Sequence, residues 1–210
     1  MDVNESFKRD LNKAKKIADS IHRQYEKGTG IFQNFKIPEY GPPPEMIAGS
    51  KEHALYLTYI FALDQGAGSV ETWKQARQLY QESPWFFDAA QISTRSEEGL
   101  SKVLVKIGAS NIENSIKKWR VLSKILLEKY SGDPRNLSMR ILDEATARKK
   151  TVEILQTNEI RRIHRYLQLM NFYGMLKVHD KESFGVFVDK GIALFTFYTG
   201  TLNFEGNIYS

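Results

Sequence analysis

The side chains with most chemistry to offer stand in the last third of the chain. Arg148, Lys149 and Lys150 are followed, beyond the short connection Gln156-Thr157-Asn158, by Arg161, Arg162 and Arg165. Cations gathered around one bend between two helices suit a polyanion. The bend adds free backbone N–H groups and the positive end of a helix dipole, a natural seat for phosphate. Asn158 is placed to cap the second helix. Two readings are open: a grip on a nucleic-acid backbone, or a solvated charged face.

Asp189 is the other candidate. It stands in Phe187-Val188-Asp189-Lys190, with Val186, Ile192 and Leu194 close by. A carboxylate at a helix start among apolar neighbours serves first as an N-cap. Partly buried there, it is equally suited to act as a catalytic base or electrostatic stabiliser.

Other chemistries find no support. Cysteine is absent, which removes disulfides, thiolate metal sites and cysteine nucleophiles. None of the histidines His22, His53, His164 and His179 is paired at helical spacing, so no metal site is expected. Gly66 and Gly68 do not extend into a phosphate-cradling motif, and no nucleophile elbow surrounds a serine; no cofactor is expected.

These residues sit in a chain of 210 residues, 41% apolar and 26% charged, the range of a soluble globular domain. The net charge of +5 is uneven. Residues 1–100 carry 12 Lys/Arg against 14 Asp/Glu, and residues 101–210 carry 18 against 11, which points the C-terminal half toward a polyanion. No apolar run is long enough to cross a bilayer. Residues 1–27 are charged throughout, neither signal peptide nor anchor, so a cytoplasmic location is expected.

Periodicity is helical nearly everywhere. Leu11, Ile17 and Ile21 share one side of a first helix that ends near Gly28 and Gly30. Residues 31–49, with Pro38 and Pro42-Pro43-Pro44, form an extended connector. Helices are expected over His53–Leu63, capped by Ser50, and over Val70–Gln81, Glu97–Ile107 and Asn111–Tyr130. A helical hairpin follows, about Ser138–Leu155 and Asn158–Leu176, the second helix burying Ile160, Ile163, Leu167 and Met170. Val186–Tyr198 carries mixed signals. The expected fold is all-α, a two-lobed helical bundle with a helix-hairpin-helix-like element. It forms one domain whose lobes are about 31–130 and about 1–30 plus 131–210.

The stretches PPPEMIAGSKEHALYLTYIFALD, YSGDPRNL, the short hairpin and VFVDKGIALFTFYTG, in that order, resemble uncharacterised prokaryotic proteins of the helix-hairpin-helix DNA glycosylase superfamily, the endonuclease III-like group. The last stretch is also similar to archaeal 8-oxoguanine glycosylases. The resemblance covers most of residues 38–205. It implies two helical lobes flanking a cleft, a hairpin that holds the DNA backbone, and a damaged base flipped into the cleft. It assigns Asp189 to the aspartate that stabilises developing charge on the sugar or orients the attacking group. Tyr56, Trp73 and Trp119 would be candidate aromatic walls of the base pocket, although each also sits at core spacing.

The departures are specific. Family hairpins have a glycine-rich turn, and bifunctional members add a Schiff-base lysine. Here the turn reads Leu155-Gln156-Thr157-Asn158-Glu159-Ile160-Arg161, with Glu159 or Arg161 at the lysine position. Neither offers an amine nucleophile. Beyond Asp189 the family's continuation is replaced by Lys190-Gly191-Ile192-Ala193-Leu194, and 21 residues follow the aspartate where superfamily members continue with further helices, so by this resemblance a shortened or partner-completed C-terminus is expected. The expectation is a base-excision-repair-type protein binding duplex DNA, a monofunctional N-glycosylase using Asp189. The alternatives are a catalytically inactive nucleic-acid binder on the same scaffold and a helical interaction module.

Overall fold

A computed structural model describes residues 7–33, 41–63, 70–138, 141–179 and 190–204. Its elements run β1 (Phe7–Arg9), α1 (Leu11–Lys27), α2 (Lys51–Phe61), α3 (Val70–Glu82), α4 (Ala89–Thr94), α5 (Glu97–Lys106), α6 (Ile112–Tyr130), α7 (Glu144–Leu155), α8 (Ile160–Phe172), α9 (Lys190–Tyr198) and β2 (Leu202–Phe204). Short 3-10 turns occupy Gly30–Phe32, Pro84–Phe87 and Pro134–Ser138. The chain is predominantly helical, as its patterning requires.

Two compact units emerge, residues 37–185 and residues 1–36 together with 186–210. The lobes expected from sequence divide the chain elsewhere. Residues 131–179 belong with the middle of the chain because α8 packs on α2, and α7 on α6.

The larger unit is organised around α2. Its sequence, KEHALYLTYIF, is largely apolar on every side once past Lys51 and Glu52, and only a central position accepts such a helix. All residues from His53 to Phe61 are buried. The rings fan out to different neighbours. Tyr56 meets Trp73 of α3 at 5.9 Å between centroids and Phe87 at 5.0 Å, Tyr59 meets Trp119 of α6 at 4.9 Å, and Phe61 meets Tyr166 of α8 at 5.6 Å. Tyr56, Trp73 and Trp119 are 1%, 0% and 0% exposed, so they are sealed in the core and wall no base pocket.

Buried hydroxyls on α2 are matched. Thr58 Oγ1 donates to the Ala54 carbonyl at 2.6 Å, so its contact with the Tyr166 hydroxyl at 2.9 Å is donated by the tyrosine. By the same count, Tyr59 donates to Ser123 Oγ at 2.6 Å, because Ser123 gives its proton to the Trp119 carbonyl. Burial holds the Tyr59 and Tyr166 phenols well above their ordinary pKa.

Helix starts follow the capping residues. Ser50, Asp88, Ser96, Asn111 and Asp143 each accept the N–H three residues on. Asp143 explains why α7 begins at Glu144 rather than Ser138. Gly174 adopts φ +69° and stops α8 at Phe172, four residues short of the expected Leu176. Six-residue α4 is too short to show a period, and so are the three-residue strands. In the smaller unit β1 and β2 pair antiparallel, Phe7 opposite Phe204. Asp10 caps α1 and Gly28 ends it at φ +58°.

The Thr58–Tyr166 bond yields a test. Tyr166→Phe leaves Thr58 its bond to Ala54 and should cost about 1 kcal/mol. Thr58→Val strands the tyrosine hydroxyl and should cost more, toward about 3 kcal/mol. Urea unfolding should show both as midpoint shifts at constant slope.

Candidate nucleic-acid interface

The bend between α7 and α8 is built locally. Ala147, Thr151, Ile154 and Leu155 bury one side of α7, and Thr151 Oγ1 returns its proton to the Ala147 carbonyl at 2.8 Å. Gln156 ends the helix in the left-handed conformation, φ +51°, a geometry glycine adopts more readily. Thr157 Oγ1 accepts from the Glu159 N–H at 3.2 Å. The N-cap position of α8 is Glu159, which makes no side-chain cap bond. Asn158 is exposed and is not the cap. Thr157 has taken the local hydrogen bond, so the helix starts one residue late.

The expected cations separate into two groups. Arg148, Lys149, Arg161 and Arg165 are exposed. Arg162 instead turns inward, its side chain only 10% exposed. It donates to the Leu63 carbonyl at 2.8 Å and pairs with Glu159 at 2.7 Å. Lys150 is held by the Leu137 carbonyl at 2.8 Å. Both of these side chains are engaged by backbone carbonyls at the ends of neighbouring segments. Ile160 is corrected; it is 55% exposed, while Ile163, Tyr166, Leu167, Leu169 and Met170 form the buried side of α8.

Between the two helices lies a polar group that sequence reading missed. His164 Nε2 stands 3.6 Å from the Glu144 carboxylate, with Arg148 Nε 3.8 Å from the same oxygen. Glu144 and His164 lie twenty residues apart, so no spacing rule on one helix could pair them.

A second cluster joins the segments around Gly49 and Asp133. Asp133 forks onto Arg135, with contacts of 3.0 and 2.7 Å at one oxygen, and Arg135 reaches the Gly49 carbonyl at 3.3 Å. Burial raises the Asp133 carboxyl, but the hydrogen bonds and charge of Arg135 outweigh it and leave the pKa lowered. Gly49, at φ +78°, would be strained by a Cβ, which would also press on the Tyr173 carbonyl at 3.0 Å. Its N–H donates to His53 Nδ1 at 3.1 Å. The imidazole proton therefore sits on Nε2, which has no hydrogen-bond partner, and the ring stands edge-on to Tyr173 at 4.4 Å. Desolvation lowers the His53 pKa to about 4.

Asp189 lies outside the described residues, as does the run 180–188 before it. Among the described residues, no group of three or more His, Asp or Glu could hold a metal ion, and no helix is long and apolar enough to cross a membrane. No family model matches the chain, and neither a curated protein nor a solved structure gives a significant match.

Two outcomes are expected. Arg162→Ala leaves the Leu63 carbonyl without its charged donor and should cost about 1.5–3 kcal/mol in urea unfolding. For His53, the unfolded imidazole binds a proton near 6.5 and the folded one only near 4. Its contribution is intact above pH 6.5 and lost as the pH falls toward 4, by about 3 kcal/mol. His53→Gln should flatten that part of the stability–pH curve.

Proposed function

We propose that the chain is a DNA-binding protein of the base-excision-repair type, gripping duplex DNA through the α7–α8 hairpin, which we read as helix-hairpin-helix-like. The observation that carries this reading is the hairpin itself. Two helices meet at a left-handed Gln156, and Arg148, Lys149, Arg161 and Arg165 all reach solvent from them. Such cations release counterions from the phosphates they neutralise. Arg162, Thr58 and Tyr166 tie α8 to α2, so the grip is mounted on the core rather than on a loop.

The reaction we assign is monofunctional N-glycosylase chemistry, with Asp189 as the acting carboxylate on the strength of the family resemblance. The bond between C1′ and the damaged base breaks, its electron pair leaves with the base, and the carboxylate stabilises the positive charge on the sugar. A water oxygen then bonds to C1′ and its proton is released, while the base is protonated. A lyase step through the hairpin is not part of the proposal, because Glu159 and Arg161 provide no amine nucleophile there.

One observation favours a second reading, a binder without catalysis. Glu159 places a carboxylate at the start of α8, where a backbone phosphate would approach, and it is neutralised by Arg162 at 2.7 Å. The two readings part on base release. Duplexes with oxidised, deaminated or alkylated bases should lose the base to the native chain and not to Asp189→Asn. Equal release by both would remove the enzymatic claim. In either reading, duplex affinity should fall steeply with salt, and Arg161→Gln with Arg165→Gln should flatten the slope of log K against log salt by about 1 for every phosphate no longer neutralised.

A further inference from the structure

A second pair of arginines sits away from the hairpin, where α4, α5 and α6 meet. Arg95 follows α4 and leads into α5, and its guanidinium carbon lies 4.2 Å from the centroid of the Trp85 ring. Arg120, on α6, donates through one terminal nitrogen to the Arg95 carbonyl at 3.1 Å. Its Nε is shielded from solvent and has no hydrogen-bond partner. A buried charged donor left without an acceptor is costly, and native structures ordinarily supply one. Among the described residues, no carboxylate lies within ion-pair distance of either guanidinium. The nearby acids are engaged elsewhere. Asp88 caps α4 and Glu98 pairs with Lys102.

We propose that Arg95 and Arg120 form a phosphate-binding site for a nucleic-acid strand, with Trp85 as the platform that holds Arg95 in place. Arg geometry matches phosphate oxygens two at a time, and a ring beneath a guanidinium limits its freedom before the anion arrives. The charge pattern favours a chain over a small anion. Lys117, Arg120 and Lys124 recur at offsets of 0, 3 and 7 along α6, which puts them on one face of that helix. Lys117 and Lys124 are held in exposed ion pairs on their own helix, to Glu113 at 2.6 Å and to Glu128 at 3.9 Å, pairs that solvent already weakens and a phosphate can replace. The result is a track about 10 Å long at 1.5 Å per residue, the axial length of about three base pairs. The site stands apart from the hairpin reading and draws on none of its residues.

Three tryptophan indole N–H resonances make the site directly testable. Trp73 and Trp119 are 0% exposed and report the core, while Trp85 reports the site. The 15N-labelled full chain would be titrated at low salt with a 12-base-pair duplex and, separately, with tripolyphosphate. The duplex should move the Trp85 resonance and leave Trp73 and Trp119 in place. Arg95→Gln/Arg120→Gln should abolish that shift and flatten the salt slope by about 1 for each phosphate the pair neutralises. Arg95→Gln alone, which removes no side-chain hydrogen bond, should weaken the shift in a chain whose core resonances are unchanged. Movement of Trp85 without movement of Arg161 and Arg165 would uphold this site and overturn the hairpin reading. Movement of the hairpin alone, or a Trp85 shift that tripolyphosphate produces and the duplex does not, would overturn the proposal.

Discussion

A helix buried on every side from His53 to Phe61 makes its two ends matter to the whole unit. The backbone groups around each terminus of α2 are met by groups of the protein, at the half-buried start as well as at the buried end. At its start, Ser50 caps the first turn, His53 accepts from Gly49, and Arg135 holds the Gly49 carbonyl. Beyond its end, the Leu63 carbonyl is taken by Arg162 of α8. The Asp133–Arg135 fork and the left-handed Gly49 lie at the start of α2, and the inward turn of Arg162 lies just beyond its end.

The pairing of backbone groups also sorts the basic residues. Sequence alone presents Arg148, Lys149, Lys150, Arg161, Arg162 and Arg165 as equals. Burial separates them, since a long cationic side chain near an unpaired carbonyl is drawn to it before any ligand arrives. Arg162 and Lys150 are used in this way. The other four keep their side chains at the surface, where a polyanion can reach them. The same logic, run in reverse, picks out Arg120, whose Nε is enclosed without a carbonyl or carboxylate to meet it.

Much of the helical frame was legible in the sequence. Capping residues and glycine stops located α1, α2, α3, α5 and α6 to within a few residues, and the connection at 156–158 announced a hairpin. What could not be read were pairings across long separations. Nothing in the spacing links Arg162 to Leu63, Arg135 to Gly49, or Arg120 to Arg95, because each depends on tertiary packing. Large aromatics proved ambiguous for the same reason. Tyr56, Trp73 and Trp119 could have lined a pocket or filled a core, and the largely apolar character of α2 decided for the core. Short elements such as α4 and the two strands hold too few residues for any period to emerge.

The pairing of β1 with β2 joins Phe7 to Phe204 across almost the whole chain, and the larger unit is inserted between these two ends. The helices that pack on α2 precede β2 in the chain, so their packing can begin before the first strand has a mate. The pairing in the smaller unit cannot form before residues 202–204 have been made. Its amphipathic α1 stays without its strand framework for that interval, and the order of assembly is written into the order of the chain.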